Sequence, residues 1–576
     1  MQSPTGFALK QQAAGSCTVA SHCAGRAMLS LDQSGCLELQ ESWLGSTGRP
    51  RVKITGKPDG AGYVLDIERL LDGARRVYIA QLPRGVAISS HISLLKHAGI
   101  RTAIDDASLA EAMLYRFVMA PRTLFKGITQ LRAGERAQIR LGPSGVSVST
   151  VGLFRSPASS APSGPDAADR IWQALTDAHH AYGLNPAEFG TLLSGGLDSS
   201  ILASIGAKLY GNRRTYSCSY GLQPEAEDTE LQYAVTAANW MGTTHTLHVP
   251  TKAQFLHTLI DAALAAEQSS IHLQSALVHS VVRHSLAPAG IKSWTCGEGA
   301  DGLFSQKIQR VIHDLGSRPF ARAGLCFPFA KTVLQRTAAA TNRFGMLADL
   351  AGRGWSDRTA IDDPEHAMWA AAVFGDRAVQ EEYFPGNPIA GRAECLRPYA
   401  DQSLQDKFLL INILGEVAET EAVWGASSES EGVEAIFPFT APEVVTAVSQ
   451  VPWAERFERS KGLLRDAARK NGVPAEIIDR PKASFDIRPS FYGPSGSILE
   501  PLLRVAEGGV DAKVLRSLQS SHVLKSQMLF TALNVGIIRR HFESGVTRDQ
   551  LHEELDRAIR DLGVWEQMTK PTVPPG

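Results

Sequence analysis

The stretch Leu192-Leu-Ser-Gly-Gly-Leu-Asp-Ser-Ser200 holds the residue types and spacing best suited to chemistry. An apolar strand, Gly190–Leu193, feeds two glycines. The apolar positions Ile201, Leu202, Ile205 and Leu209 then mark one face of a helix over 199–209. Glycines without a Cβ let backbone N–H groups come close to an anion, and Ser199 and Ser200 stand at the positive end of that helix. Asp198 alone would repel a phosphate. It fits if Mg²⁺ lies between its carboxylate and the phosphates. A Gly-rich turn with a Ser or Asp cap is common, and a bare Ser-Gly-Gly could not be told from one. The whole string between an apolar strand and a helix is far more specific for a nucleotide phosphate loop.

A second loop, Cys296-Gly-Glu-Gly-Ala-Asp-Gly-Leu-Phe304, follows the strand pattern Ile291–Cys296. Glu298 lies three residues before Asp301 between glycines. A carboxylate there could accept a proton if its surroundings tune it, or could simply pair with a Lys or Arg. Around these loops, Thr215–Tyr220 and Thr246–Val249 read as strands. Residues 169–182 and a segment capped by Asp228 read as helices. Strands alternating with helices imply a doubly wound parallel sheet, whose ligands bind beyond the carboxyl ends of the strands. Residues 340–480 have mostly helical spacing.

Upstream, Arg76–Ala80, Gly85–Ser89 and Arg136–Arg140 alternate as strands, interrupted by one helix near 108–117. Between the halves, Ser156-Pro-Ala-Ser-Ser-Ala-Pro-Ser-Gly-Pro165 cannot build a core and reads as a linker. The expected organisation is a β-rich domain over 1–155, a linker over 156–168 and an α/β domain over 169–576. The 576 residues, 44% hydrophobic and 20% charged, suit a multidomain globular protein. A formal net charge of −1 gives no argument for nucleic acid or membrane as partners. Seven scattered cysteines without a Cys-x-x-Cys pair argue against a zinc site or a disulfide framework, and fit a reducing cytoplasm. Neither a signal peptide nor an apolar run long enough to span a bilayer is evident.

The phosphate loop resembles the pyrophosphate loop of the asparagine synthetase and β-lactam synthetase superfamily, and further matches follow in family order. Asp228-Thr-Glu-Leu-Gln-Tyr-Ala234 and Met241-Gly-Thr-Thr-His245 are similar to the family's D-E-x-x-Y-A and L-G-T-x-H stretches, with Thr229-Glu230 an imperfect fit. Cys296–Phe304 resembles S-G-E-G-A-D-E-x-F. Phe437-Pro-Phe439, Lys461-Gly-Leu-Leu-Arg465, Val473-Pro474 and Arg480-Pro-Lys-Ala-Ser-Phe485 complete the series. The resemblance implies an ATP-pyrophosphatase-type sheet with helical additions behind a glutaminase-like β-rich domain. It also implies ATP and Mg²⁺, with a substrate carboxylate activated as an acyl-adenylate and an amine then displacing AMP.

Carried over by position, Asp198 and Asp301 match the Mg²⁺ carboxylates, and Ser194, Gly195, Gly196 and Ser199 the phosphate contacts. Leu192, Cys218, Cys296 and Gly297 match backbone contacts to adenine. In that role the Cys296 thiol is only a small apolar group. Glu298 matches the amine-activating position. Lys482 matches the lysine that stabilises the charged intermediate, a solvated surface lysine being the alternative. The family's cyclising members carry a further Glu in the region of Glu416, Glu419, Glu421, Glu429, Glu431 and Glu434. Glu421 is the expected match, with a solvated helix face expected for most of the others.

Residues 76–96 and 120–135 resemble the later half of the family's glutaminase domain. That activity needs an N-terminal cysteine, whereas residue 2 is Gln, so no glutamine hydrolysis is expected. The amine must then arrive on a substrate. β-Lactam synthetases have Tyr where this chain has Glu298, which favours a lasso-peptide cyclase. Such an enzyme closes a macrolactam between a peptide's N-terminal amine and an Asp or Glu side chain. The implied partners are a precursor (core) peptide, a leader-peptide protease and a leader-binding protein. A β-lactam or other small-molecule amide synthetase remains the alternative, as does a catalytically inactive peptide-binding scaffold.

Overall fold

The computed structural model describes residues 6–12, 16–22, 27–31, 37–41, 51–60, 62–82, 85–142, 145–152, 166–211, 214–218, 229–269, 273–304, 375, 377–388, 392, 394–456, 458–480, 498–519 and 523–570. The linker expected at 156–165, the Asp228 cap, most of the helical stretch before residue 375, and Lys482 lie outside them.

The N-terminal half is β-rich. β1 (Gly6–Gln12), β2 (Ser16–His22), β7 (Tyr78–Leu82), β8 (Gly85–Ser89) and β9 (Ile128–Gln130) form one sheet in the order β2-β1-β8-β7-β9. β3 (Ala27–Leu31), β4 (Leu37–Glu41), β5 (Val52–Asp59), β6 (Gly62–Arg69), β10 (Glu135–Gly142) and β11 (Gly145–Gly152) form a second, ordered β11-β10-β6-β5-β4-β3. Every pairing in both is antiparallel. The alternation read from the sequence has its cause in the core. Ile54, Ile67 and Ile139 of one sheet pack against Ile79, Val86 and Ile88 of the other, while Tyr78, Ala80 and Ala87 between them are buried on the opposite face, in a core with the helices.

α1 (Ile92–His97) follows β8, and α2 (Asp106–Tyr115) carries Leu109 and Met113 into a core shared with the C-terminal helices. α2 begins two residues earlier than its apolar spacing suggests. Asp105 caps it by accepting the Ser108 N–H at 2.9 Å, and Arg116 ends it in the left-handed conformation. β7 likewise begins at Tyr78. Arg76, read as strand, is turned inward to a carboxylate instead.

α3 (Ala167–Ala181) leads into a sheet built from β12 (Phe189–Leu192), β13 (Arg214–Cys218), β14 (Thr244–His248), β15 (Ser293–Thr295) and β16 (Glu434–Ile436). All its pairings are parallel, in the order β14-β13-β12-β15-β16. α4 (Leu197–Tyr210), α5 (Thr229–Met241), α6 (Lys252–Ala266) and α7 (Gln274–Val281) connect the strands, and α8 (Ala300–Phe304) follows β15. Leu193 joins the core under α4 with Ile201 and Ile205. Its neighbour Leu192 packs with Trp294 and Val278 on the other side, as a doubly wound sheet requires. The order of strands reverses between β12 and β15. In such sheets that is the topological switch point, where the loops part and leave a crevice. Both loops singled out in the sequence leave the sheet there. Among the described residues no helix is long and apolar enough to cross a membrane.

Candidate active site

The loop after β12 is held by its own serines. Ser199 Oγ accepts the Ser194 N–H at 3.2 Å and lies 3.1 Å from Ser194 Oγ. Ser194 Oγ in turn accepts the Gly196 N–H at 3.3 Å. Gly195 sits at φ +68°, and a Cβ there would come within 2.2 Å of the Tyr233 carbonyl carbon, so only glycine lets α5 close against the loop. Gly196 is the extended N-cap of α4, which leaves the helix's first N–H groups facing the crevice.

The loop after β15 meets the first one at Gly297. A Cβ there would stand 2.8 Å from Asp198 Cβ and 3.0 Å from the Ser199 nitrogen. The two strands are also tied side chain to side chain, Thr191 Oγ1 lying 3.3 Å from Thr295 Oγ1. Together the loops enclose a cavity of about 440 Å³. Its lining includes Leu192, Ser194, Gly196, Asp198, Ser199, Cys218, Cys296, Gly297, Glu298 and Asp301. The sequence-derived nucleotide residues thus converge on one space. Gly195 does not line it and acts through packing.

Lys461 lies between the two aspartates. Its ammonium bonds Asp198 Oδ2 and lies 2.8 Å from Asp301 Oδ1. Burial alone would lower the lysine, but the two carboxylates outweigh it and hold the ammonium above its ordinary value. Among the described residues no three His, Cys, Asp or Glu converge as a self-sufficient metal site. Two carboxylates already sharing one cation do fit Mg²⁺, which takes one or two protein carboxylates and completes its octahedron with phosphate oxygens and water.

Glu298 is pushed up to about 8. The largest cause is burial, followed by the negative charges of Glu416 and Asp301. Cys296 is also raised, first by burial and then by the Glu298 charge, so its thiol stays protonated and inert.

Glu421 lies elsewhere. It is fully buried and does not line the cavity. Its Oε2 accepts the Gly73 N–H at 2.6 Å and its Oε1 accepts the Thr440 hydroxyl at 2.7 Å, behind Gly299. The solvated helix face expected for its neighbours is incorrect for most of them. Glu419, Glu429 and Glu434 are buried against arginines of the N-terminal half. Arg76 reaches Glu419 at 2.7 Å, Arg75 bonds Glu429, and Arg51 lies 3.5 Å from Glu434. Glu431 pairs with Arg283 at 2.6 Å, and Glu416 lies 3.5 Å from Arg116 in a π-helical turn, Ile413–Val417.

Three basic residues of the cavity lining had no role assigned from the sequence: Lys461, Arg465 and Arg480. All lie in matched motifs, so the signal was present. Arg465 donates to the Ile478 carbonyl, which fixes the segment leading to Arg480. The Arg480 guanidinium lies 4.7 Å from the Tyr233 ring centroid, on the wall beside Gly196.

The sequence profile of the asparagine synthase family matches residues 171–535, more than half the chain. The protein belongs to the asparagine synthase family. It is 22% identical over 430 residues to asparagine synthetase [glutamine-hydrolyzing] 1 of Bacillus subtilis (strain 168), an alignment covering 72% of this chain and 64% of that one. The chain therefore spans less than two thirds of the length of that relative. The matched region begins within α3 and takes in the whole parallel sheet, both loops, Lys461 and Arg480.

Proposed function

We propose that this family member is an ATP-dependent amide synthetase that closes a macrolactam in a peptide. The observation that carries the reading is one crevice at the sheet's switch point lined by Asp198, Asp301, Lys461 and Glu298. The backbone at Leu192, Cys218, Cys296 and Gly297 would receive adenine. Ser194, Gly196, Ser199 and the N-terminus of α4 would receive the phosphates. Asp198 and Asp301 would hold Mg²⁺, which supplies neutralising charge to the triphosphate when bound.

In this scheme an Asp or Glu side-chain carboxylate of the peptide attacks the α-phosphorus, the bond to the β-phosphate breaks, and pyrophosphate leaves. Lys461 and Arg480 stand where they can balance the leaving charge, a task the family resemblance also gives to Lys482. The peptide's N-terminal amine then attacks the acyl carbon and AMP departs, with Glu298 taking the amine proton.

An amine carried by the substrate, rather than ammonia passed from the N-terminal half, accords with the packing between the halves. Among the described residues the ion pairs Arg75–Glu429 and Arg76–Glu419 cross that boundary, and the cavity among Arg75, Tyr78, His91 and Glu267 holds about 10 Å³, room for roughly one water. A peptide cyclase would work beside a leader-peptide protease and a leader-binding protein.

The test is pyrophosphate release with candidate peptides and with small amino-acid derivatives. Peptide-dependent release with a cyclic product supports the reading. Cyclisation of the small derivatives alone would make the protein a β-lactam-type synthetase. Nucleotide binding with no release for any carboxylate would leave an inactive scaffold.

A further inference from the structure

The Lys461 ammonium occupies the ground between the two carboxylates, and its position is built rather than incidental. Lys461 stands at φ +55° before the helix Gly462–Lys470, and its N–H donates to the Phe304 carbonyl at 3.0 Å. That bond ties it to the end of α8, the helix whose first turn carries Asp301. The side chain is only 12% exposed and spans both loops, bonding Asp198 on one and Asp301 on the other.

We propose that Lys461 is a resident counter-cation, closing the two-carboxylate site to free divalent metal until nucleotide arrives. The inference rests on the reading of Asp198 and Asp301 as Mg²⁺ ligands. Charge carries the argument. Lys461 bonds both carboxylates, and the guanidinium groups of Arg465 and Arg480 line the same cavity. A free dication would have to expel a bonded ammonium, and among the described lining residues only Glu298 could receive it, leaving a surplus of positive charge in a partly desolvated space. A triphosphate reverses this. It brings oxygens for the metal and acceptors for the displaced ammonium, so the exchange becomes nearly charge-neutral. Metal and nucleotide then bind with positive coupling, and each raises the other's affinity by the same factor.

The experiment uses the full chain, with Mn²⁺ as probe read by the loss of its free EPR signal. Binding is measured with and without α,β-methylene-ATP, a non-cleavable nucleotide, with the Mn²⁺ held by the nucleotide alone titrated separately and subtracted. The wild-type protein should bind Mn²⁺ at least about tenfold more tightly with the nucleotide than without it. Lys461→Met should bind Mn²⁺ without nucleotide at least about tenfold more tightly than wild type, and its coupling should shrink. Equal wild-type affinity in both states, or unchanged nucleotide-free affinity in a variant with the wild-type circular dichroism, would overturn the proposal. If Lys461→Met does not fold, the wild-type coupling together with Lys461→Gln decides the matter. A distinct failure, Mn²⁺ absent even with nucleotide or indifferent to Asp301→Asn, would remove the metal role of the aspartates instead.

Discussion

At the scale of single residues, the account gives separate tasks to carboxylates only a few positions apart. Asp198→Ala and Asp301→Ala should each abolish peptide-dependent pyrophosphate release while leaving the melting temperature within a few degrees of wild type. Loss of release by only one variant would break the pairing. With Glu298 proposed as the base of the later step, Glu298→Gln should reduce amide formation by about 10²–10⁴-fold and spare pyrophosphate release. Equal loss of both steps would remove its role as base. Its raised value sets the sign of the pH dependence. The base form is the deprotonated one, so kcat/KM for amide formation should rise with pH through a midpoint near 8 and level off above it. A flat profile in wild type, or the same rise in Glu298→Gln, would contradict the assignment. That these residues would meet was legible in the sequence, because two short loops carry both the carboxylates and the glycines that position them. Lys461 was visible as part of a motif, but its bond to two aspartates, one of them 263 residues away, was not.

At the scale of elements, β12 to β15 of the parallel sheet were readable because short strand-forming runs alternate with helical spacing, whereas β16 (Glu434–Ile436), three residues long, lay in a stretch read as helical. Boundaries shifted where side-chain chemistry overruled periodicity, as at Asp105, which caps α2, and Arg76, which leaves the strand for an ion pair. The meeting of the loops depends on glycines that sequence marks only as flexible. Gly195→Ala would strain a positive φ and drive a methyl into the backbone of α5. The expected result is a loss of roughly 1–3 kcal/mol in denaturant unfolding from backbone strain alone, with weakened nucleotide binding. Undiminished stability would mean that α5 does not close on the loop.

At the scale of the whole molecule, the acidic stretch 416–434 could not be read from the sequence. Its partners Arg51, Arg75 and Arg76 lie more than three hundred residues away, and a run of glutamates in a helical pattern looks the same whether water or arginine faces it. The structure makes that stretch the joint between the β-rich half and the synthetase half. Glycines allow the backbones to touch there: a Cβ on Gly73 would meet the Ala418 carbonyl oxygen at 2.5 Å, and one on Gly425 the Ala74 carbonyl oxygen at 2.3 Å. Arg76→Ala strands Glu419 as a buried charge and should cost about 3–5 kcal/mol in unfolding. An effect as small as that of an exposed pair would show that water reaches the joint.

Activation of a carboxylate on the α-phosphate of ATP leaves an isotopic signature. A peptide substrate carrying ¹⁸O in its Asp or Glu side-chain carboxylate is turned over with ATP, and the nucleotide products are analysed by mass. The account predicts AMP bearing one ¹⁸O together with unlabelled pyrophosphate. Appearance of ADP with ¹⁸O in inorganic phosphate would contradict it.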